Sequence, residues 1–118
     1  MSAAALFFGA HPDDVELTSA GLAATLAERG ERVAIADLTR GELGTRGDVE
    51  TRAREAGAAA QALGAAVRED LALPDGALNR HDRAQLKAVV ECIRRHAPSL
   101  VVAPHFDDAH PDHVEASH

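Results

Sequence analysis

Short apolar runs alternate with longer amphipathic stretches along this chain. Most of the runs combine aliphatic, aromatic and β-branched residues without polar alternation, which indicates strands buried on both faces of a parallel sheet. The third run is the weakest prediction, because it contains Arg68, Glu69 and Asp70. We predict four strands, at residues 4–10, 32–38, 67–73 and 99–104.

The stretches between the runs carry apolar residues at helical spacing and predict three helices, at about residues 15–29, 49–63 and 80–97. Gly30 and Gly64 follow the first two stretches, as is common at helix ends, and Pro98 prevents the third from continuing. Strands and helices therefore alternate along the chain. This order predicts a single Rossmann-like α/β domain over residues 1–118, with a parallel sheet and helices on both faces.

A polar segment follows each predicted strand. In open α/β sheets, ligands bind in the crevice beyond the carboxyl ends of the strands. We therefore expect these segments to meet at one edge of the sheet. They are HPDD (11–14), TRGELGTRGD (39–48), LPDG (73–76) and HFDDAHPDH (105–113).

The first and last of these segments contain the residue types of a catalytic metal site. They hold His11, Asp13 and Asp14 after the first strand, and His110 and His113 after the fourth. Imidazole nitrogens with carboxylate oxygens, and no thiolate, are typical of catalytic zinc or a related divalent ion. One aspartate can bind the ion while its neighbour accepts a proton from water, and spacing alone leaves open which does which. Turns, helix caps and solvated surface are the alternative interpretation.

The other two segments carry weaker signals. Guanidinium groups in and after the second segment can bind a carboxylate or phosphate through two hydrogen bonds, although a flexible loop and a solvated helix face are the alternative. The arginines concerned are Arg40, Arg46, Arg52 and Arg54, and for Arg54 we favour the solvated face. In LPDG, we interpret Asp75 as a turn residue, with metal binding as the weaker alternative. We interpret Cys92 as a core residue.

The composition narrows the class of protein. The 118 residues carry a formal net charge of −7, so we expect no nucleic-acid partner. One cysteine excludes an internal disulfide framework and suits a reducing compartment. The first residues have neither the basic segment nor the apolar length of a signal peptide or membrane span. We therefore expect a cytoplasmic protein with no membrane partner.

Four motifs carry a resemblance to a known family: AHPDDVEL (10–17), GELGTRGDVETRAREA (41–56), LPDGAL (73–78) and AHPDH (109–113). In this order and spacing they closely resemble the PIG-L/LmbE-like family of metal-dependent N-acetylglucosaminyl deacetylases. Within that family, LPDG together with the GTRG and ExR elements looks most like the branch that acts on N-acetylglucosaminyl malate in bacillithiol biosynthesis.

The resemblance implies a Rossmann-like fold, a bound zinc ion and hydrolysis of an acetamide to an amine and acetate. Carried over by position, it implies that His11, Asp14 and His113 bind the zinc ion. Another divalent metal in the place of zinc is compatible with the same ligands.

The resemblance also implies roles for residues that do not bind the metal. Asp13 is expected to be the general base and later to protonate the leaving amine. His110 is expected to stabilise the tetrahedral oxyanion together with the metal. Arg52 is expected to bind the substrate, a small N-acetylated amino sugar conjugate. The family resemblance further implies a homo-oligomer, either a trimer or a hexamer.

Two other functions fit the same residues. One is a Rossmann-like module that binds a sugar or a nucleotide without catalysis, and the other is a zinc amidase with a different substrate. A proton acceptor beside a full set of metal ligands favours catalysis over binding alone. Family members have longer domains, so we expect these 118 residues to be the amino-terminal portion of one. The alternative expectation is that this form is stabilised by self-association.

Overall fold

All the predicted strands and helices are present in the computed structural model, which describes residues 2–12, 14–42, 48–104, 112 and 116. The third helix begins at Arg83 and not at residue 80. In chain order the elements are β1 (Ala5–Gly9), α1 (Asp14–Glu28), β2 (Val33–Thr39), α2 (Val49–Leu63), β3 (Val67–Leu73), α3 (Arg83–His96) and β4 (Leu100–Val102).

The four strands form one parallel sheet in the order β3-β2-β1-β4. This arrangement confirms the predicted α/β class. Phe7 of β1 is in register with Ile35 of β2 on one side and with Val102 of β4 on the other. At the end of β1, Gly9 is in register with Asp37 of β2. Because the strands all run in one direction, the segments that follow them leave the sheet at one edge.

Helices cover both faces of the sheet. β1 and β2 are buried along their whole length, and successive side chains point to opposite faces. On one face, Phe7 belongs to an apolar cluster with Ala23 of α1 and Ala60 of α2. On the other face, Phe8 belongs to a second cluster with Cys92 of α3. None of the helices in the described ranges is both long and apolar enough to cross a membrane.

Aspartates fix the first residues of two helices. Asp82 precedes α3, and its Oδ1 accepts hydrogen bonds from Ala84 N at 2.9 Å and Gln85 N at 3.2 Å. These contacts satisfy backbone donors at the helix start, which explains why α3 begins at residue 83. Asp48 caps α2 in the same way and accepts from Thr51 N.

The edge strand β4 leaves apolar side chains in contact with solvent. Leu100 and Val101 are each 45% exposed, and Leu86 of α3 is 52% exposed. Leu86 and Val101 line an apolar groove of about 240 Å³ between α3 and the sheet. Val101, in register with Leu6, faces the α3 side of the sheet, whereas Leu100, in register with Ala5, faces the α1 and α2 side.

We predict opposite effects of alanine at two glycines, one inside α2 and one directly after it. Gly64 ends the helix with a φ of 81°, and a Cβ there would lie 3.0 Å from the Cβ of Ala27. Gly64→Ala is therefore expected to lower the free energy of unfolding by about 1 kcal/mol or more. Gly57 lies inside the helix with open space around it in the described chain. Gly57→Ala is expected to raise that free energy by up to about 1 kcal/mol. Urea denaturation measures both, and equal changes would contradict the assigned helix end.

Candidate active site

The segments after the strands meet at the carboxyl edge of the sheet. Asp75, after β3, and Asp112 each lie within hydrogen-bonding distance of His11, after β1. Glu42, after β2, accepts a hydrogen bond from Asp75 N at 2.9 Å. The predicted convergence is confirmed for these residues. Three predicted site residues lie outside the described residues, so their roles stay predictions: Asp13, His110 and His113.

His11 is surrounded by three carboxylates. Its Nε2 lies 2.9 Å from Asp75 Oδ1 and 2.9 Å from Asp112 Oδ2. Its Nδ1 lies 3.5 Å from Oδ2 of Asp14, the first residue of α1. The same Asp14 oxygen accepts a hydrogen bond from His11 N at 2.9 Å. Among the described residues, the two ring nitrogens therefore have different surroundings, with two carboxylates near Nε2 and one near Nδ1.

Gly9 allows the first turn of α1 to approach the end of β1. A Cβ at this position would lie 3.1 Å from the Cβ of Asp14 and 3.2 Å from Cγ2 of Val15. Both distances are shorter than ordinary van der Waals contact, so a larger residue would displace the turn. The position of the Asp14 carboxylate therefore depends on the absence of a side chain at Gly9.

Asp112 is a buried carboxylate that joins His11 to the LPDG turn. Its side chain is 2% exposed. Oδ2 accepts a hydrogen bond from Gly76 N at 2.7 Å, and Oδ1 accepts from Leu78 N at 3.2 Å. Burial by itself would raise the pKa of Asp112, but the hydrogen bonds from Gly76 N and from His11 lower it below its usual value. Asp112 is therefore ionised and acts as an acceptor.

The carboxylates change the protonation of His11. The contact with Asp14 is the main cause that raises the pKa of His11 to about 9, burial opposes it, and Asp112 and Asp75 add to the increase. In the metal-free protein the imidazole therefore carries a proton on both nitrogens at neutral pH. A metal ion that binds one ring nitrogen would replace the proton on that nitrogen.

The distances favour Nδ1 of His11 as the metal-binding nitrogen. Two ligands at about 2.0–2.1 Å from a tetrahedral ion lie roughly 3.3 Å apart. The 3.5 Å between His11 Nδ1 and Asp14 Oδ2 is close to that value. The 2.9 Å separations at Nε2 are instead hydrogen-bond lengths, and ligating histidines commonly donate their second N–H to a carboxylate. The pair His11 and Asp14 therefore fits a divalent ion.

An alternative placement puts the ion at Nε2. His11, Asp75 and Asp112 lie close enough together to share one. However, Asp112 already accepts hydrogen bonds from Gly76 N and Leu78 N, and its Oδ2 also contacts the imidazole. These contacts favour Asp112 as a residue that holds the ring and not the metal ion.

Arg52 lies beside the candidate metal centre. Its Nη1 donates to Gly41 O at 2.8 Å, and its Nη2 donates to Pro12 O at 3.4 Å, within the HPDD segment. A Cβ at Gly41 would lie only 2.3 Å from Nη1 of Arg52. The structure thus places Arg52 next to the HPDD segment, and its expected contact with a substrate stays a prediction.

The sequence interpretation missed the contacts of two aspartates. Asp75 does lie in a turn, as interpreted, but its carboxylate also contacts His11. Asp112 stands between the two histidines of HPDH and was not assigned a role. Their positions in the sequence could have indicated these contacts, because both residues belong to segments that follow parallel strands and reach the same edge of the sheet.

A second group of potential ligands lies under α3. Glu69 of β3, Cys92 and His96 have ligand atoms close enough to share an ion. These groups already bind one another, because His96 Nε2 lies 3.2 Å from Glu69 Oε2, and Glu69 also pairs with Arg95. Burial is the main cause that raises the pKa of Cys92 to about 12, so its thiol stays protonated. This agrees with the interpretation of Cys92 as a core residue.

The chain belongs to the PIG-L family. The family model described as GlcNAc-PI de-N-acetylase matches residues 6–118, which include the whole site. The chain is also 32% identical over 114 residues to the uncharacterized deacetylase YaiS of Escherichia coli K12. That alignment covers 92% of this chain and 61% of YaiS.

Solved structures of related proteins have the same fold. The conserved protein TT1542 from Thermus thermophilus is 39% identical with a TM-score of 0.92, covering 98% of this chain and 52% of that one. The N,N'-diacetylchitobiose deacetylase of Pyrococcus horikoshii is 26% identical with a TM-score of 0.86, covering 95% and 45%. GalB, the 4-carboxy-2-hydroxymuconate hydratase of Pseudomonas putida, is 29% identical with a TM-score of 0.82, covering 100% and 53%. The chain spans about half the length of these proteins.

We predict that Asp112 contributes to stability even without metal. Asp112→Asn places an amide nitrogen either at Oδ2, where it faces Gly76 N and His11, or at Oδ1, where it faces Leu78 N, so at least one buried donor loses its acceptor. The free energy of unfolding, measured in the presence of a chelator, is expected to fall by about 1–3 kcal/mol. Asp70→Asn is the matched control, because Asp70 forms an exposed pair with Arg40. A fall of less than about 1 kcal/mol is expected there. Similar losses in both variants would contradict the structural role of Asp112.

Proposed function

We propose that this chain forms the metal-binding part of a zinc-dependent hydrolase that removes the acetyl group from an N-acetylated amino sugar conjugate. Membership of the PIG-L family and similarity to deacetylases support this class of reaction. The observation that carries the proposal is the environment of His11. One ring nitrogen is held by Asp75 and Asp112, while the other lies at a ligand-pair distance from Asp14.

The proposed metal site consists of His11, Asp14 and His113. Nitrogen and oxygen donors of this kind would suit a catalytic zinc ion, which typically has three protein ligands. A divalent ion held there would lower the pKa of a bound water molecule towards about 7 and would polarise the acetyl carbonyl group. Asp75 and Asp112 keep the imidazole of His11 in the orientation that presents Nδ1 to the ion.

The remaining residues are proposed to move protons and stabilise charge. Asp13 accepts a proton from the attacking water as the water oxygen forms a bond to the carbonyl carbon. His110 donates a hydrogen bond to the oxygen that becomes negatively charged. Asp13 then gives the proton to the amide nitrogen as the C–N bond breaks. The products are acetate and the free amine of the sugar.

The best proposal for the substrate is N-acetylglucosaminyl malate or a similar conjugate with an anionic aglycone. The guanidinium group of Arg52 supports an anionic group, because it lies beside the HPDD segment. Its contacts with Gly41 and Pro12 use two of its five N–H donors. A guanidinium group pairs well with a carboxylate through two parallel hydrogen bonds. A cytoplasmic location and a trimer or hexamer stay predictions.

The similarity to GalB supports a second candidate reaction. A hydratase adds water across a carbon–carbon double bond, and GalB has this fold at 29% identity. Proteins with this fold can therefore carry out chemistry other than amide hydrolysis. A binding module without catalysis and a zinc amidase of another substrate are further alternatives.

We predict acetate release from the malate conjugate by the complete zinc-loaded protein. The panel contains N-acetylglucosaminyl malate, neutral N-acetylglucosaminides, N,N'-diacetylchitobiose and 4-carboxy-2-hydroxymuconate. Because Arg52 favours an anion, kcat/KM for the malate conjugate is expected to exceed that for the neutral glucosaminides by roughly tenfold or more. Equal kcat/KM values for the malate conjugate and the neutral glucosaminides would contradict the proposed preference for an anionic substrate. Hydration of the muconate without acetate release would identify the second candidate, and no turnover with retained zinc would favour a binding module.

We predict different losses in two neighbouring aspartate variants. Asp14→Asn is expected to lose bound zinc, because it replaces a proposed ligand that faces His11 Nδ1. Asp13→Asn is expected to keep zinc and lose turnover by roughly 100-fold or more, because it removes the proposed general base. Elemental analysis and acetate release measure the two properties. Loss of zinc in Asp13→Asn with retention in Asp14→Asn would mean that the two roles are exchanged.

A further inference from the structure

Arg68 of β3 belongs to a buried ion cluster beneath the first turn of α1. Its Nε and Nη2 donate to the two carboxylate oxygens of Asp37 in β2, each at 2.9 Å. Its Nη1 lies 3.0 Å from Oε1 of Glu16 in α1 and donates to Ala56 O in α2 at 3.3 Å. One guanidinium group thus links two strands and two helices.

The cluster is shielded from solvent. The side chains of Arg68 and Asp37 are 6% and 4% exposed, and that of Glu16 is 18% exposed. Neither carboxylate oxygen of Glu16 accepts a well-aligned hydrogen bond within the described chain, so the ionic contact with Arg68 holds it. Charges in such surroundings require close partners, since an unpaired one is strongly unfavourable. The guanidinium group therefore restricts where Asp37 and Glu16 can lie.

The same cluster lies against the candidate metal ligand. Glu16 shares the first turn of α1 with Asp14. Asp37 is in register with Gly9, where a Cβ would approach the Cβ of Asp14 to 3.1 Å. Burial raises the pKa of Asp37, Arg68 opposes this, and the nearby charges of Glu16 and Asp14 add to it. Asp14 and the ion cluster are thus joined through one helical turn and one strand end.

We propose that Arg68 is a positioning residue for the metal centre. By binding Asp37 and Glu16 together, it fixes the first turn of α1 and so directs the Asp14 carboxylate towards His11. A positive charge near a cation site opposes metal binding. We therefore expect Arg68 to strengthen metal binding through the position it gives Asp14 and not through its charge. The inference rests on the metal site of the proposed function and assigns it an outer residue that contacts neither metal nor substrate.

Two substitutions that conserve charge test the geometry. Arg68→Lys keeps the positive charge, but its three donors on one nitrogen cannot reproduce the bidentate pair with Asp37 together with the contacts to Glu16 and Ala56 O. Glu16→Asp keeps the negative charge but shortens the link to Arg68. Each variant of the complete protein is expected to bind zinc tenfold or more weakly in competition with a chelator. The visible spectrum of the cobalt-substituted protein, which reports ligand geometry, is expected to change in both.

Matched controls separate positioning from general effects on folding. Arg95→Lys alters a surface pair with Glu69, and Glu50→Asp alters an exposed acid in the first turn of α2. Both are expected to bind zinc within twofold of the unsubstituted protein and to keep its cobalt spectrum. Denaturation of the metal-free proteins shows whether each variant is folded. If Arg68→Lys fails to fold, the zinc affinity and cobalt spectrum of Glu16→Asp test the inference.

Each outcome supports or overturns the inference. Weaker zinc binding and a changed cobalt spectrum in a folded variant support it. Unchanged affinity and an unchanged spectrum in the folded variants overturn it and leave the proposed function intact, because Arg68 would then only stabilise the fold. Absence of zinc and cobalt binding by the unsubstituted protein overturns the proposed metal site and this inference with it.

Discussion

The contact between the His11 imidazole and the buried Asp112 carboxylate holds the candidate site together. The two residues are 101 positions apart, so the contact joins the first loop of the fold to the segment after the last strand. Asp112 also accepts hydrogen bonds from Gly76 N and Leu78 N, which brings the loop after β3 to the same place. Because an unpaired buried carboxylate is unfavourable, the three segments are stable only when they meet. The orientation of the imidazole is a consequence of this assembly.

Much of the fold could be predicted because the signals are local. The apolar runs of β1 and β2 and the glycine at the end of α2 act within a few residues. β3 was the weakest strand prediction, because a charged residue such as Arg68 argues against a buried strand. In the structure its charge is neutralised by Glu16 and Asp37, which are distant in sequence. The proximity of His11 and Asp14 could be predicted because they are three residues apart in the sequence. Arg52, expected to belong to the site, does lie beside the HPDD segment. The contacts of Asp75 and Asp112 with His11 depend on long-range packing, which no local pattern encodes.

Relatives with this fold carry out more than one reaction. A deacetylase of Pyrococcus horikoshii and a hydratase of Pseudomonas putida both share the architecture. Both reactions need an activated water molecule, but they differ in the bond that receives it. We therefore expect the choice of reaction to depend on the groups that bind the substrate and not on the fold itself.

Cys92 is a natural reporter of how α3 separates from the sheet. It is the one cysteine in the sequence, it lies on the buried face of α3, and its thiol is protonated at neutral pH. A thiol-reactive reagent can therefore reach it only when α3 separates from the sheet. The rate of modification then measures how often the α3 side of the sheet opens, without any introduced label.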